Sequence, residues 1–164
     1  MIHGKTVLAI IPARSGSKRV KNKNFLPFRG TVLWEWSAAA AHCSKYIDNL
    51  VLSRDSDRPP ELCTDEATCE DVMRHHQAQT PHDWIVLLQP TSPLRTAADI
   101  DACIERAQLG HGCISTYMGK TNGAVYVATA EWLAAHDFSH AGLMKYEMPE
   151  ERSLDINEES DFAA

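Results

Sequence analysis

Five basic side chains crowd a stretch of ten residues near the start of the chain: Arg14, Lys18, Arg19, Lys21 and Lys23. Like charges at this spacing repel one another unless an anion lies among them. The intervening Ser15–Ser17 turn can present consecutive backbone N–H groups, which form an anion-binding nest where the glycine adopts a positive φ. The segment therefore predicts a site for phosphate groups, with a solvated basic loop as the alternative.

This basic loop (residues 13–24) follows an apolar run, Thr6 to Ile11, which is typical of a strand buried on both faces. Loops at the carboxyl ends of such strands are where open α/β sheets bind ligands. The loop contains one glycine and matches neither G-x-x-x-x-G-K-[ST] nor G-x-G-x-x-G. Any phosphate site here is therefore not a Walker loop or a dinucleotide-binding turn.

Length and composition indicate one globular domain over residues 1–164, with 44% hydrophobic residues to build a core. Charge is unevenly distributed. Residues 1–34 carry seven basic and no acidic side chains, whereas residues 147–164 carry seven acidic side chains and one arginine. Two oppositely charged ends can meet across a site that holds both phosphate and metal. The net charge of −6 argues against a nucleic-acid partner.

The five cysteines are odd in number and include no C-x-x-C pair. Neither a signal peptide nor an apolar run of membrane-spanning length is present. We therefore expect reduced thiols, a cytoplasmic protein and no membrane partner. The histidines and cysteines follow no zinc-ligand spacing, and His75 and His76 are expected on a helix surface.

Hydrophobic patterning predicts alternating strands and helices along the rest of the chain. Strands are predicted at 49–53, 84–88 and 112–116, and helices at 32–44, 97–108 and 130–136. A further helix begins near Thr68, which forms a capping pair with Asp71, and Thr96 with Asp99 repeats that spacing. Such alternation is typical of a parallel sheet with crossover helices.

The basic loop, IPARSGSKRVKNKN, resembles the signature of the acylneuraminate cytidylyltransferases, whose pattern is IPARxGSKxxPxKN. This family activates sialic, legionaminic and related nonulosonic acids as CMP-sugars. The matching positions are Ala13, Arg14, Gly16, Ser17, Lys18, Lys23 and Asn24. Lys21 stands where the family usually has proline, which removes no group expected to do chemistry.

Three further blocks resemble the family and occur in the family's order. RPPELCTDEATCEDVM begins at Arg58, LLQPTSPLRTAADID covers Leu87 to Asp101, and MPEERSLDINEESDF covers Met148 to Phe162. The stretch NGAVYVAT, beginning at Asn122, also resembles a strand entrance of the family. Four separated blocks in one order across most of the chain make the resemblance specific.

The resemblance implies an α/β fold, a three-layer α/β/α sandwich around a mostly parallel, Rossmann-like sheet. The implied activity is CTP-dependent cytidylyl transfer to a nonulosonic (sialic-like) acid with release of pyrophosphate. Such chemistry depends on positioning and charge neutralisation more than on covalent help from the protein. The implied partners are CTP and an acidic sugar, and the implied cofactor is Mg²⁺.

The resemblance also assigns roles to individual residues. The groups that neutralise phosphate are Arg14, Lys18 and Lys23. The nucleotide- and substrate-binding residues are Ser15, Gly16, Ser17, Asn24, Arg58, Gln89, Thr91 and Ser92. The metal ligands are Asp155 and Asn157. From the residues alone, a loop arginine is the favoured interpretation of Arg58. The alternative for the polar groups after Leu88 is that they cap the turn and the next helix.

Three departures from the family pattern leave alternatives open. Asn157 replaces a usual aspartate, a helix and a strand are missing before Arg58, and a lobe of the sugar site is missing before Asn122. Because that lobe supplies much of the family's dimer contact, we expect a monomer or a weak homodimer. The alternatives are a weak or inactive CTP-binding module, or a cytidylyltransferase for a smaller acidic or phosphonate acceptor.

Overall fold

The first strand lies at the centre of the fold. In the computed structural model, which describes residues 1–164, strand β1 (Val7–Pro12) is fully buried over Val7 to Ile11. It pairs in parallel on one side with the strand Asn49–Ser53 and on the other with the strand Trp84–Leu87. An apolar run without alternation is expected for a strand covered on both faces.

Six strands form the main sheet, and a two-stranded hairpin lies beside it. The hairpin consists of β2 (Pro27–Phe28) and β3 (Thr31–Val32). The main sheet contains β1, β4 (Asn49–Ser53), β5 (Trp84–Leu87), β6 (Gly112–Tyr117), β7 (Lys120–Thr129) and β8 (Met144–Glu147). The spatial order is β4-β1-β5-β7-β6-β8, and β7 alone runs antiparallel to its neighbours. The mostly parallel sheet predicted from the sequence is confirmed.

Helices cover both faces of this sheet. They are α1 (Leu33–His42), α2 (Cys69–Gln79), α3 (Ala97–Ala107) and α4 (Ala130–Ala135). Val7, Ala9 and Ile11 share one core with α1 and α3, whereas Leu8 and Ile10 share another with α2 and α4. Because successive side chains of a strand point to opposite faces, these two cores make the predicted α/β/α sandwich.

The predicted helix starts are confirmed in detail. Thr68 accepts a hydrogen bond from the backbone N–H of Asp71, whose carboxylate accepts one in return from the Thr68 N–H. Thr96 and Asp99 form the same reciprocal pair at the start of α3. Each of these reciprocal pairs, called a capping box, satisfies two backbone donors that a helix start would otherwise leave unpaired.

Two features differ from the sequence expectations. His76 does not lie on a helix surface, because it shares the inward stripe of α2 with Val72 and Met73, and its Nε2 lies 2.7 Å from Ser53 Oγ. The edge strand β8 was not predicted. Its alternating half-buried and exposed residues pair in parallel with β6.

The segment between β4 and α2 contains only two short 3-10 turns, Asp55–Asp57 and Pro60–Leu62. Strands β6 and β7 are joined by a two-residue turn in which Met118 and Gly119 have positive φ, as tight hairpins require. No helix combines the length and the apolar character needed to cross a lipid bilayer.

Candidate active site

The carboxyl ends of β1, β4 and β5 open onto a cavity of about 240 Å³. Its wall combines the basic loop, the 55–64 segment, the start of α2 and the segment after β5 (residues 88–94, the Gln89 loop). Seven of the thirteen predicted site residues line it: Arg14, Ser17, Lys23, Asn24, Arg58, Gln89 and Thr91. Residues scattered over 78 positions of sequence therefore meet at the sheet edge where α/β proteins bind ligands.

Carboxylates of the protein accompany the positive charges of the basic loop. Asp65 accepts a hydrogen bond from Arg14 Nη2 at 2.7 Å, and its other oxygen lies 3.3 Å from Lys18 Nζ. The bond from Arg14, together with Lys18, lowers the pKa of the Asp65 carboxyl. Lys18 itself is largely exposed and lies outside the cavity wall. The repulsion expected among these cations is thus relieved here by Asp65.

The backbone nest predicted at Ser15–Ser17 is not formed in this conformation. The N–H and hydroxyl of Ser15 both donate to Asp55 Oδ2, and the N–H of Ser17 donates to the Ser15 carbonyl at 3.0 Å. Gly16 does not have the positive φ that the sequence argument required, and the left-handed residue of the loop is Asn22 at φ 54°. Ser15 and Gly16 lie outside the cavity wall.

Asn24 and Arg58, predicted to hold the base, each brace a loop at the cavity wall. Asn24 Nδ2 donates to the Arg14 carbonyl at 3.0 Å, and the residue is almost fully buried. The terminal nitrogens of Arg58 donate to the carbonyls of Ser53 (2.7 Å) and Leu62 (3.0 Å). Burial lowers the pKa of Arg58. Its Nε is buried without a hydrogen-bond partner.

The Gln89 loop carries two predicted residues into the cavity and buries the third. Gln89 and Thr91 line the wall, and the Thr91 carbonyl accepts a 2.8 Å hydrogen bond from the N–H of Ile156, which ties in the closing segment. Ser92 lies apart from the other two, and its predicted role stays a prediction. It is only 1% exposed, its hydroxyl has no partner, and it does not line the cavity because the turn points it into the protein.

Lys23 connects the cavity to the acidic closing segment. Its side chain lines the wall, and burial lowers its pKa against the opposing attraction of Asp155 and Asp161. Asp155 lines a neighbouring cavity of about 420 Å³, whose wall also includes Gln89, Lys120 and Tyr126. The basic start and the acidic end of the chain therefore meet, as their charges suggested, with Gln89 bordering both cavities.

The predicted metal ligands are adjacent to one another. Asn157 Nδ2 donates to Asp155 Oδ2 at 2.9 Å, so the two side chains lie on the same side of the segment. Asp161 is occupied, because one of its oxygens accepts the backbone N–H groups of Asn157 and Glu158. No group of three or more His, Cys, Asp or Glu side chains is arranged to hold a metal ion. One carboxylate and one amide oxygen still fit Mg²⁺ when phosphates and waters complete its shell.

Three residues of this region were missed by the sequence reasoning. Asp55 and Asp65 contact the basic loop, and buried Arg95 contacts the Gln89 loop. The crowding of five cations was itself a signal that nearby acids would be needed. Nothing in the spacing of Arg95 indicated that it would be buried.

Comparison with known proteins was made on sequence and on structure. The family model described as Cytidylyltransferase matches residues 8–137. The N-acylneuraminate cytidylyltransferase of Escherichia coli is 27% identical over 210 residues, covering 95% of this chain and 50% of that protein. The CMP-N,N'-diacetyllegionaminic acid synthase of Legionella pneumophila is 32% identical over 120 residues, covering 60% of this chain and 52% of that protein.

A solved CMP:2-keto-3-deoxy-manno-octonic acid synthetase complexed with CTP superposes with a TM-score of 0.70 at 11% identity. The match covers 87% of this chain and 90% of that one, and shows the shared fold. The chain spans about half the length of the curated relatives it matches. The match to the E. coli protein spans 210 positions, more than the 164 residues present here, so that relative contains segments without a counterpart.

Proposed function

The chain belongs to the cytidylyltransferase family, and from this we propose that it transfers the CMP group of CTP to a nonulosonic (sialic-like) acid. The acceptor hydroxyl oxygen attacks the α-phosphorus in line, the bond from that phosphorus to the β-phosphate bridging oxygen breaks, and pyrophosphate leaves. The names of the relatives support this reaction, since they are cytidylyltransferases and CMP-sugar synthases for acidic sugars.

The nucleotide occupies the cavity between the basic loop and the Gln89 loop. Arg14 and Lys18 exchange Asp65 for the triphosphate, and Lys23 neutralises charge nearer to Asp155. Arg58 Nε, buried and without a partner, offers the cytosine a hydrogen-bond donor. Such buried donors cost free energy when left unpaired, so a ligand atom that accepts the bond is favoured.

The acidic acceptor occupies the neighbouring 420 Å³ cavity. Lys120 lines that cavity and forms no ion pair within the protein, so it can pair with an acceptor carboxylate. Tyr117 and Tyr126 bring hydroxyl groups to the same wall. Because Gln89 borders both cavities, an acceptor here reaches the α-phosphate across the Gln89 side chain.

Asp155 would hold Mg²⁺ in this proposal, and the amide oxygen of the adjacent Asn157 would be the second protein ligand. The ion would offset the negative charge of the phosphates. The metal shell requires phosphate oxygens and water, because the protein offers one free carboxylate there. Asn157 replaces a second charge, so we expect metal binding to be weak.

We further propose that the protein acts in the cytoplasm, as one domain over residues 1–164 and as a monomer or a weak homodimer. All five cysteines are free thiols, as expected in a reducing compartment. The turn of two residues between β6 and β7 stands where the family lobe would carry much of the dimer contact.

One observation carries the proposal: seven residues to which the family resemblance assigns roles line one cavity at the carboxyl edge of the sheet. The test is pyrophosphate release from CTP across a panel of nonulosonic acids, smaller sugar acids and phosphonates, with ATP as the control nucleotide. We expect release with CTP and an acidic sugar, and a larger thermal shift with CTP than with ATP. Equal shifts with both nucleotides would contradict a cytosine site.

A CTP-binding module without turnover is the second candidate, favoured by Asn157 in the metal pair. It predicts a CTP-specific thermal shift with no pyrophosphate release for any acceptor at any Mg²⁺ concentration. Release with a small acid or phosphonate alone would instead assign a different acceptor to the same enzyme.

A further inference from the structure

Arg95 is a buried cation whose side chain makes no hydrogen bond to a carboxylate. It is 2% exposed, directly after the Gln89 loop, between α1 and the start of β7. Burying a guanidinium is costly unless its donors are satisfied. Burial lowers the pKa of Arg95 to about 9, so the group remains protonated at neutral pH. Each of its hydrogen bonds is therefore assisted by charge.

Three donors of Arg95 reach three separate elements. Nε donates to the Ala124 carbonyl at 2.7 Å, Nη1 to Ser37 Oγ at 2.9 Å and Nη2 to the Gln89 carbonyl at 2.5 Å. The Ser37 hydroxyl donates to the same Gln89 carbonyl at 3.3 Å. That carbonyl also accepts the N–H of Ser92 at 3.2 Å, so the backbone of Gln89 is held by two side-chain donors and one backbone donor. The guanidinium of Arg95 also holds β7 to it.

The two anchored carbonyls flank the place where the cavities meet. Gln89 lines both the 240 Å³ and the 420 Å³ cavity, and Gly123, next to Ala124, lines the latter. Gly123 has φ +79°, and a Cβ placed there would lie 3.5 Å from Gln89 Oε1. The Gln89 side chain therefore passes close to the part of β7 that Arg95 anchors at Ala124.

We propose that Arg95 is a positioning residue that fixes Gln89 between the nucleotide and acceptor cavities and so sets the separation of the two substrates. The proposal rests on the proposed function, because that function assigns those ligands. Reactions between two bound substrates depend steeply on their alignment, and an error of about 1 Å can cost 100-fold in rate. Arg95 acts on the reaction through Gln89 and does not itself line either cavity.

Arg95→Lys is the test variant, since lysine keeps the charge but cannot reach three acceptors in a fork. Arg74→Lys is the matched control. Arg74 also donates to two backbone carbonyls, those of Leu133 and His136, both at 2.8 Å, but on the α2–α4 side of the sheet. We expect Arg95→Lys to lower kcat by about 10- to 100-fold with the Kd for CTP changed by less than about threefold. Arg74→Lys should leave kcat unchanged.

Coupling to Gln89 separates positioning from a merely structural role. In the double variant Arg95→Lys/Gln89→Ala, kcat should fall no further than in Gln89→Ala alone, because the group being positioned is gone. Effects that multiply, or an Arg95→Lys protein that loses thermal stability with normal kcat, would overturn the proposal. If Arg95→Lys does not fold, Ser37→Ala replaces it, with an expected fall in kcat of about threefold; an unchanged kcat counts against the proposal.

Hydrogen–deuterium exchange keeps this inference distinct from the proposed function. If the wild-type protein releases no pyrophosphate with any acceptor, the proposed function fails, and the exchange rate of residues 89–94 decides the role of Arg95. Exchange at least tenfold faster in Arg95→Lys, but not in Arg74→Lys, supports positioning of the Gln89 loop. Equal exchange in the two variants overturns it.

Discussion

The basic loop and the Gln89 loop line the same cavity but are held in opposite ways. The basic loop is held through charged and polar contacts to Asp55 and Asp65, and the ion pairs of Asp65 are partly exposed. The Gln89 loop is held from inside the protein by the buried guanidinium of Arg95. On one side of the cavity the charged groups can therefore change partners, and on the other side the position of the backbone is fixed.

This difference indicates that the two loops contribute differently to the reaction. Partly exposed ion pairs contribute little net stability, so Arg14 and Lys18 can exchange Asp65 for a phosphate at small cost. Hydrogen bonds to a buried charge are harder to replace, because breaking them leaves a buried donor unpaired. Substitutions in the basic loop should then change binding and charge neutralisation, whereas substitutions behind the Gln89 loop should change alignment.

The largest effect is expected from Lys23→Ala. Lys23 is the cation of the basic loop nearest the acidic closing segment, and removing a group that stabilises developing phosphate charge typically costs 100- to 1,000-fold, on the order of 3–4 kcal/mol of barrier. Pyrophosphate release gives kcat, and circular dichroism checks folding. Lys21→Ala, at an exposed position of the same loop, is the control and should remain active. An unfolded Lys23→Ala protein would mean that the loop is structural.

A smaller effect is expected at the metal pair. Asn157→Asp adds a second carboxylate beside Asp155 and should lower the Mg²⁺ concentration for half-maximal rate by roughly tenfold. Asp155→Asn, which leaves two amides, should lose most metal-dependent activity. Titration with Mg²⁺ at saturating CTP measures both. If Asn157→Asp binds CTP but stays inactive at every Mg²⁺ concentration, the protein is a binding module.

Removing the Asp65 carboxylate, which pairs with the basic loop, should have a modest effect in the opposite direction, namely tighter binding of CTP. Asp65→Asn frees Arg14 and Lys18 for the triphosphate, so we expect CTP to bind about two- to fivefold more tightly at low salt. Calorimetry at two salt concentrations measures it, and the gain should shrink at high salt. Asp57→Asn, which breaks the comparable Arg54 pair at 2.9 Å, should leave CTP affinity unchanged. Weaker CTP binding by Asp65→Asn would mean that Asp65 organises the loop for its ligand.

The smallest effect concerns the stability of the protein at acidic pH, to which His76, packed against β4, contributes. Burial lowers the pKa of His76 from its ordinary value of 6.5. As the pH falls below 6.5, the unfolded chain binds a proton that the folded protein resists, so the free energy of unfolding decreases. His76→Gln can keep the contact with Ser53 but does not titrate, so its melting temperature should fall less between pH 7 and about pH 5.5. His111→Gln, at an exposed position, should behave like the wild type.

The sequence was sufficient to predict five of the six strands of the main sheet, its helices and both capping boxes, because these depend on local patterns. The continuous apolar run of β1 and the Thr–x–x–Asp spacings are such patterns. The edge strand β8 was missed because its residues, Met144–Glu147, alternate over only four positions and pair with a strand some thirty residues earlier. His76 was misplaced because its burial depends on packing against β4.

For the site, the sequence indicated which residues converge but not how they are held. Lys23, Asn24 and Gln89, to which the family resemblance assigns roles, line one cavity. The contacts of Asp55 and Asp65 with the basic loop join residues forty and fifty-one positions apart, so no local pattern carries them. Ser92 lies outside the cavity wall because tertiary packing turns it inward, and the Pro-Thr-Ser-Pro pattern does not decide which way its hydroxyl points.

The order in which the sheet forms follows from its pairing. In the β6–β7 hairpin, Tyr117 pairs with Lys120 across two residues, whereas Val7 of β1 pairs with Trp84, a separation of 77 positions. Hairpins form in about 1–10 μs, but the pairing of distant strands is slower because it must overcome the entropic cost of closing a long loop. We expect pulse-labelled amide exchange to protect β6 and β7 before β1. The cavity needs the ends of both β1 and β5, so a refolding chain forms this cavity only after that late closure.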